Sequence, residues 1–350
     1  MSPCTHSLLL SLLLIICVSC QTQNEEKMDS RVRLVRNDKD KKVDVLIDGK
    51  IFTSYIYSDN IKKPVLYPLV TPQGTKVTRK YPMEASVGER VDHPHHVGLW
   101  LNYGDVNGLD FWNNSDSIAE DKRGGYGMIV HNKVLKIEGG DKGRLEVEMD
   151  WISPEQDTLL KEKTTFIFGF DSGIYSIDRI TKLIALEEVS FTDNKEGMLG
   201  IRVARELEHP SDRPAIFTDV NGLPTMIENT DNTGVNGKYI NSNGIEGTDC
   251  WGKRADWVNL TSTIGDENIS LVILDHQSNV GYPTYWHARG YGLFAANPLG
   301  QAALSGGKDT LNFKLVKGDS VTFRHRILVA SKSLDKEFLD REFTQFSNNY

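Results

Sequence analysis

Residues 144–184 read RLEVEMDWISPEQDTLLKEKTTFIFGFDSGIYSIDRITKLI. Leu145, Val147, Met149 and Trp151 alternate with Glu146, Glu148 and Asp150. That period of two puts apolar side chains on one strand face and carboxylates on the other. The pattern breaks at Ser153-Pro154-Glu155, resumes over Leu159–Phe168, breaks at Asp171-Ser172-Gly173 and resumes over Ile174–Ile184. Pro and Gly between apolar runs are turn punctuation, so the segment predicts three strands in succession.

The same alternation extends in both directions. It predicts strands over Arg31–Val35, Val43–Ile47, Lys50–Tyr57, His96–Tyr103 and Met128–Ile137, and then over Glu188–Thr192, Met198–Ala204, Ile269–Leu274, Gly292–Ala296, Thr310–Val316 and Ser320–Ala330. Many short strands with almost no helical periodicity predict an all-β fold, a large antiparallel β-sandwich. One helix is expected at the C-terminus, Leu334–Phe346, capped by Ser331 or Ser333 and packed on a sheet edge. Residues 208–250 are rich in Asn, Gly, Asp and Pro, and a stretch this long suits a functional loop or an excursion over one face.

The N-terminus carries a different signal. Leu8–Val18 is an apolar run that ends at Ser19-Cys20 and gives way to QTQNEEK. It is shorter than the ~20 residues a membrane span needs and fits a secretory signal with a lipoprotein cleavage site before Cys20. The expected organisation is therefore a signal peptide over 1–19, a tether over 20–30 and a single sandwich domain over 31–350, with Cys20 lipid-anchored to a membrane and the body periplasmic or surface-facing. Cys4, Cys17 and Cys20 lie in the leader and Cys250 alone in the body, so an internal disulfide is excluded and stability must come from the core. The net charge of −8 is spread along the chain, which argues against a nucleic-acid partner.

Chemistry concentrates in four places. Asp92-His93-Pro94-His95-His96 holds three of the nine histidines and precedes Asn107, Asp110 and Trp112. Pro94 favours an extended His93, which would send His93 and His95 to one side and His96 to the other. Three readings stay open: a divalent metal on His93, His95 and His131, acid/base work on a sugar, or histidines that only satisfy buried groups. The second place is Lys195–Glu206, where a continuing strand would put Arg202 and Glu206 on one face, an oxyanion grip beside a general base or a surface ion pair. The third is Trp251 to Trp257, with Arg254. The fourth runs from His276 to Trp286, His287 and Arg289. Aromatic rings next to basic groups suit a carbohydrate or small glycoside, with the alternative that the tryptophans fill a core. The phosphate-binding and nucleophile-elbow motifs are absent.

Taken in order, DHPHHVGLW, DVNGLDFW, KEGMLGIRVA, WGKRADWV, YPTYWHARGYGLFAANPLG and FRHRILV resemble the PmoA-like family, a domain of unknown function customarily labelled methane oxygenase. The resemblance runs from Tyr67 to Ala330. Its label does not fit, since a particulate methane monooxygenase subunit needs several membrane spans and this body has none. The resemblance implies a galactose-mutarotase-like sandwich in a family met beside sugar-processing enzymes. In such sandwiches a histidine and a carboxylate on the concave sheet move protons. By similarity His95 or His96 would be the acid and Glu196 or Glu206 the base, with His287 a further catalytic candidate. The expected function is that of an exported carbohydrate-active protein performing epimerisation, elimination or hydrolysis. The alternatives are a non-catalytic carbohydrate binder and a metal-dependent hydrolase or oxygenase.

Overall fold

A computed structural model describes Met1 and residues 30–350. The signal peptide, Cys20 and most of the tether lie outside the described residues. The first sheet has eight antiparallel strands: β1 (Val32–Asn37), β2 (Lys42–Ile47), β3 (Lys50–Ile56), β4 (Val65–Leu66), β5 (Leu99–Tyr103), β11 (Gly197–Arg202), β18 (Leu293–Asn297) and β17 (Tyr285–Ala288), adjacent in that order. The second also has eight, ordered β14 (Lys238–Asn241), β15 (Trp257–Ile264), β16 (Glu267–Leu274), β20 (Ser320–Ala330), β9 (Ile174–Ala185), β8 (Thr158–Asp171), β7 (Gly143–Ile152) and β6 (Met128–Glu138). Two small two-stranded sheets complete the fold: β10 (Val189–Phe191) with the sequence-distant β19 (Phe313–Leu315), and the hairpin of β12 (Ala215–Thr218) with β13 (Pro224–Ile227).

The opening segment forms β7, β8 and β9 as its alternation demands, with Leu145, Val147, Met149, Phe166, Phe168 and Ile177 buried between the sheets. From the facing sheet come Val43, Val45, Leu99, Leu101, Ile201 and Phe294. Each such side chain contributes about 1.5–3 kcal/mol by leaving water, and together they make the antiparallel β-sandwich that the periodicity predicts.

The C-terminal helix α2 spans Lys336–Asn349 and is capped by Asp335, whose carboxylate accepts from the Phe338 N–H at 2.8 Å. The serines proposed as caps lie upstream of it. Leu339, Phe343 and Phe346 pack on Trp257, Val272, Leu274 and Leu328, so the helix covers the outer face of the second sheet rather than its edge. A second short helix, α1 (Gln301–Ser305), was not foreseen. The outer face of the first sheet is covered largely by loops, and on it stand Trp100, Asn102, Arg202, Asn297, Tyr285 and His287.

Candidate functional site

The loop before β5 is organised by Arg79, whose guanidinium is 1% exposed. It donates to the Asp92 carbonyl (2.7 Å) and carboxylate (2.8 Å), the His93 carbonyl (2.8 Å) and the His96 carbonyl (3.1 Å). A buried guanidinium must satisfy its donors, and a turn that aims these carbonyls at one point does so. The turn closes with the His96 N–H on the His93 carbonyl at 3.0 Å and places His93 at φ 42°. The extended His93 expected from Pro94 is therefore wrong, because gathering acceptors on Arg79 outweighs the pre-proline preference. Strand β5 starts at Leu99, three residues later than expected, after Gly98 at φ +57°, where a Cβ would lie 2.3 Å from the Leu66 carbonyl oxygen.

The turn also reverses the expected side-chain directions. Tyr291, His93, His96 and Trp100 form one column of near-parallel rings, 5.2, 4.9 and 5.2 Å apart, while His95 stands edge-on to it. His96 is buried, with the Trp112 indole N–H 3.2 Å from Nε2 and the Arg202 guanidinium 3.3 Å from Nδ1. Burial and the neighbouring cations hold its pKa well below the usual range. A doubly protonated ring would face donors on both sides, so this geometry suits a neutral positioning group and not a proton donor. His95 is pushed down to about 2 by burial and then by Lys63, which likewise opposes an acid role. Trp100 and Trp112 pack closely over β11 because residue 200 is glycine; a Cβ there would meet Trp100 at 2.7 Å and Trp112 at 3.0 Å.

On the other side of the ring column lies a cleft of roughly 540 Å³ lined by Arg90, Asp92, His209, Arg213, Trp251, Arg289 and Tyr291 among others. His287, on β17 one residue before the lining residue Ala288 and itself 3% exposed, donates from Nδ1 to the Lys195 carbonyl at 2.9 Å. A carbonyl only accepts, so the proton sits on Nδ1 and Nε2 carries the lone pair. Nε2 has no partner and reaches solvent. Burial lowers the His287 pKa to about 4, with the nearby Glu196 carboxylate pulling it up and Lys195 and Arg289 pushing it down. The imidazole is thus neutral near pH 7, a free base beside the cleft. Asn297 donates to the Asn194 and Lys195 carbonyls at 2.9 and 3.0 Å, so His287 and Asn297 together fix the segment that carries Glu196.

Behind the cleft, Arg202 is fully buried and donates to Asp92 at 2.6 Å; Arg90 and Arg205 share Glu208 at 3.0 and 2.8 Å. Arg289 lies over Trp251 and Tyr291, 5.7 Å from each ring centre.

The remaining candidates fall elsewhere. β11 ends at Arg202 and residues 205–207 form a 3-10 turn, so Glu206 shares no strand face with Arg202 and lines a different cavity, beside Lys76 and Glu84. Trp286 is in the inter-sheet core, its N–H on the Ala255 carbonyl at 3.0 Å. His276 is buried against Phe346 of α2 and accepts from the Ser278 N–H. Arg254 is held by Asp309, Gln301 and the Gly281 and Pro283 carbonyls. Asn107 ties a turn to Glu187, Glu188 and Ser190, and Asp110 caps the turn that starts at Trp112. Trp286, Arg254, Asn107 and Asp110 thus spend their polar groups locally, which residue type alone does not reveal.

The metal set is not assembled. His131 is on β6 of the other sheet, bonded to the Tyr55 hydroxyl at 3.0 Å and packed at a tilt against Tyr57. Among the described residues no group of three His, Cys, Asp or Glu side chains has metal-binding geometry. Arg79, Glu208, His209 and Tyr291 escaped the sequence reading, and Asn297 lies in a run, Asn297-Pro298-Leu299-Gly300, that reads as a turn rather than a site. For Tyr291 and Asn297 a signal existed, since both stand within the last long motif, at the end or just beyond a short strand.

The model described as a family of unknown function (DUF6807) matches residues 42–344. No curated protein matches the chain in sequence. Among solved structures, the chain is similar to the GH36 alpha-galactosidase AgaB from Geobacillus stearothermophilus, at 10% identity and a TM-score of 0.41, over 87% of this chain and 42% of that one. It is also similar to a galactose mutarotase-like protein from Clostridium acetobutylicum, at 10% identity and a TM-score of 0.35, over 87% and 99% of the two chains, and to a galactose mutarotase related enzyme from Lactobacillus acidophilus, at 8% identity and a TM-score of 0.32, over 86% and 98%. The chain thus spans less than half the length of the galactosidase. None of these likenesses assigns a residue or a reaction to it.

Proposed function

We infer the function of this chain, which belongs to the family of unknown function (DUF6807), from its cleft: it is a carbohydrate-active enzyme in which His287 takes a proton from a sugar. The observation that carries this reading is the His287 tautomer, with Nδ1 committed to the Lys195 carbonyl and an unpaired Nε2 beside the cleft. The Trp251 ring would cover the apolar face of the sugar. Removal of a ring C–H proton by His287 starts either an epimerisation, closed by reprotonation on the opposite face, or an elimination, closed by loss of the adjacent substituent; Glu196 acts on the base through its charge and Tyr291 lines the cleft. The methane-oxygenase label adds no step; among the described residues no helix is long and apolar enough to cross a membrane.

NMR time courses on a panel of aldoses and methyl glycosides test the proposal. Turnover of at least one member by the wild type, lost in H287Q, is expected; a panel with neither turnover nor saturation transfer would sink it. A binding protein without turnover is the second reading, favoured by the Trp251–Arg289 pair, which needs no base. Sugar affinity that survives H287Q with no product from either protein would decide for it.

We also propose that the chain is exported and lipid-anchored through Cys20, on the strength of the apolar run and the small residue before that cysteine. Cys20→Ser is expected to move the expressed protein from the membrane pellet to the soluble fraction and to remove the lipid mass from the N-terminal peptide. A variant that still pellets, with an unchanged N-terminal mass, would contradict this.

A further inference from the structure

We propose that the sugar taken by this cleft is anionic, a ring bearing a carboxylate or sulfate ester whose oxyanion is gripped by Arg289 and Arg213. The inference deepens the carbohydrate reading above and rests on it.

The charge around the cleft is unbalanced. Arg79 and Arg202 both use Asp92, and Arg90 and Arg205 both use Glu208. Four guanidinium groups therefore share two carboxylates in and behind the lining, in a chain whose net charge is −8. Two further arginines complete the wall. Arg289 is half-buried and makes no hydrogen bond or ion pair through its guanidinium among the described residues; its only neighbours of note are the faces of Trp251 and Tyr291. Arg213, exposed on the opposite lip, is also without a side-chain partner among the described residues.

Among the described residues only the exposed Arg33 shares that state, and Arg123 and Arg324 hold backbone carbonyls alone. Arg79, Arg90, Arg179, Arg202, Arg205, Arg254 and Arg326 each hold a carboxylate within 3.2 Å. A planar guanidinium with unspent donors is suited to bidentate contact with a carboxylate or sulfate, and aromatic faces on both sides restrict it without consuming those donors. Other hydrogen-bonding capacity around the cleft is also unspent: the Trp251 indole nitrogen, His209 Nε2 and Arg202 Nε are buried without partners. A neutral hydroxyl would leave the positive excess uncompensated; an oxyanion offsets it. Glu196 is the carboxylate that opposes such a ligand, and Lys195 pairs with it.

Calorimetric titration with matched methyl hexuronides, hexose 6-sulfates and neutral methyl hexosides in the gluco, galacto and manno series tests this on the chain as expressed. At least one charged sugar should bind tenfold or more tightly than its neutral match, with the advantage shrinking as salt rises. Arg289→Gln should abolish that advantage, bringing the charged sugar to within threefold of its neutral match in the same variant, and Arg289→Lys should restore part of it. Carboxylate and sulfate arms tell the two sources apart. Neutral sugars that bind as tightly as charged ones would overturn the anionic proposal and leave the carbohydrate reading standing. No binding by any member would overturn both.

Discussion

His287→Gln should lower turnover by about 10²–10⁴-fold, the usual contribution of a positioned general base, with the fold intact. Glutamine can still donate an amide N–H toward the Lys195 carbonyl, so the segment bearing Glu196 keeps its anchor, and Asn297 holds the same carbonyl independently. What glutamine lacks is a basic nitrogen. The pH profile gives a second check that a merely structural histidine would not move. Burial lowers the His287 pKa from 6.5 to about 4, so the imidazole is neutral, and competent as a base, at every pH above that value. The acidic limb of kcat/KM is therefore expected near pH 4, with no loss as the pH falls through 6.5. It should report the free enzyme. A limb at 6.5, or wild-type rates in H287Q, would remove His287 from the role.

How much of this was legible beforehand depended on how locally each feature is determined. The alternation in residues 144–184 needs only the two faces of a strand, and it gave β7, β8 and β9 along with the sandwich class. Of the strands that went unread, β4 is two residues long and β12, β13, β14 and β17 are four each, too short for a period to register, whereas β15 is eight long but buried on both faces over Trp257–Leu260, so its alternation is lost. At the site, the motif positions Trp251 and Arg289 line one cleft, while Arg202 is buried behind it and His287 is not part of its lining. The directions within the histidine turn could not be read, because they are set by Arg79, a residue thirteen positions before Asp92 whose donors demand that turn. Glu206 and Glu208 show the same limit. They differ by two positions in a 3-10 turn, and only the register of that turn turns Glu208 inward to Arg90 and leaves Glu206 facing another cavity.

Asp92→Ala is expected to be the most destabilising of the single changes considered, by about 3–5 kcal/mol, the cost of breaking a buried ion pair by removing one partner. The carboxylate is the shared acceptor for Arg79 at 2.8 Å and Arg202 at 2.6 Å, and those guanidinium groups are 1% and 0% exposed. Alanine would leave two buried cations facing each other. Burial alone would raise the Asp92 pKa, but the hydrogen bond from His93 and the charges of Arg202 and Arg79 outweigh it and hold the carboxyl well below the usual range. A folded-state pKa below the unfolded value contributes stability that is fully present above the unfolded pKa near 4 and is lost as the pH falls through the folded value. Urea unfolding at pH 7 and at pH 3 should therefore show a wide gap between wild type and D92A at neutral pH and a narrower one in acid. Replacing Arg202 with methionine in the D92A background should recover part of the loss, since one of the uncompensated charges is then gone. If D92A unfolds within about 1 kcal/mol of wild type at pH 7, less than a typical charged hydrogen bond contributes, the carboxylate is not what holds the histidine turn over β11, and the cleft must be kept in shape by the ring column of Tyr291, His93, His96 and Trp100 instead.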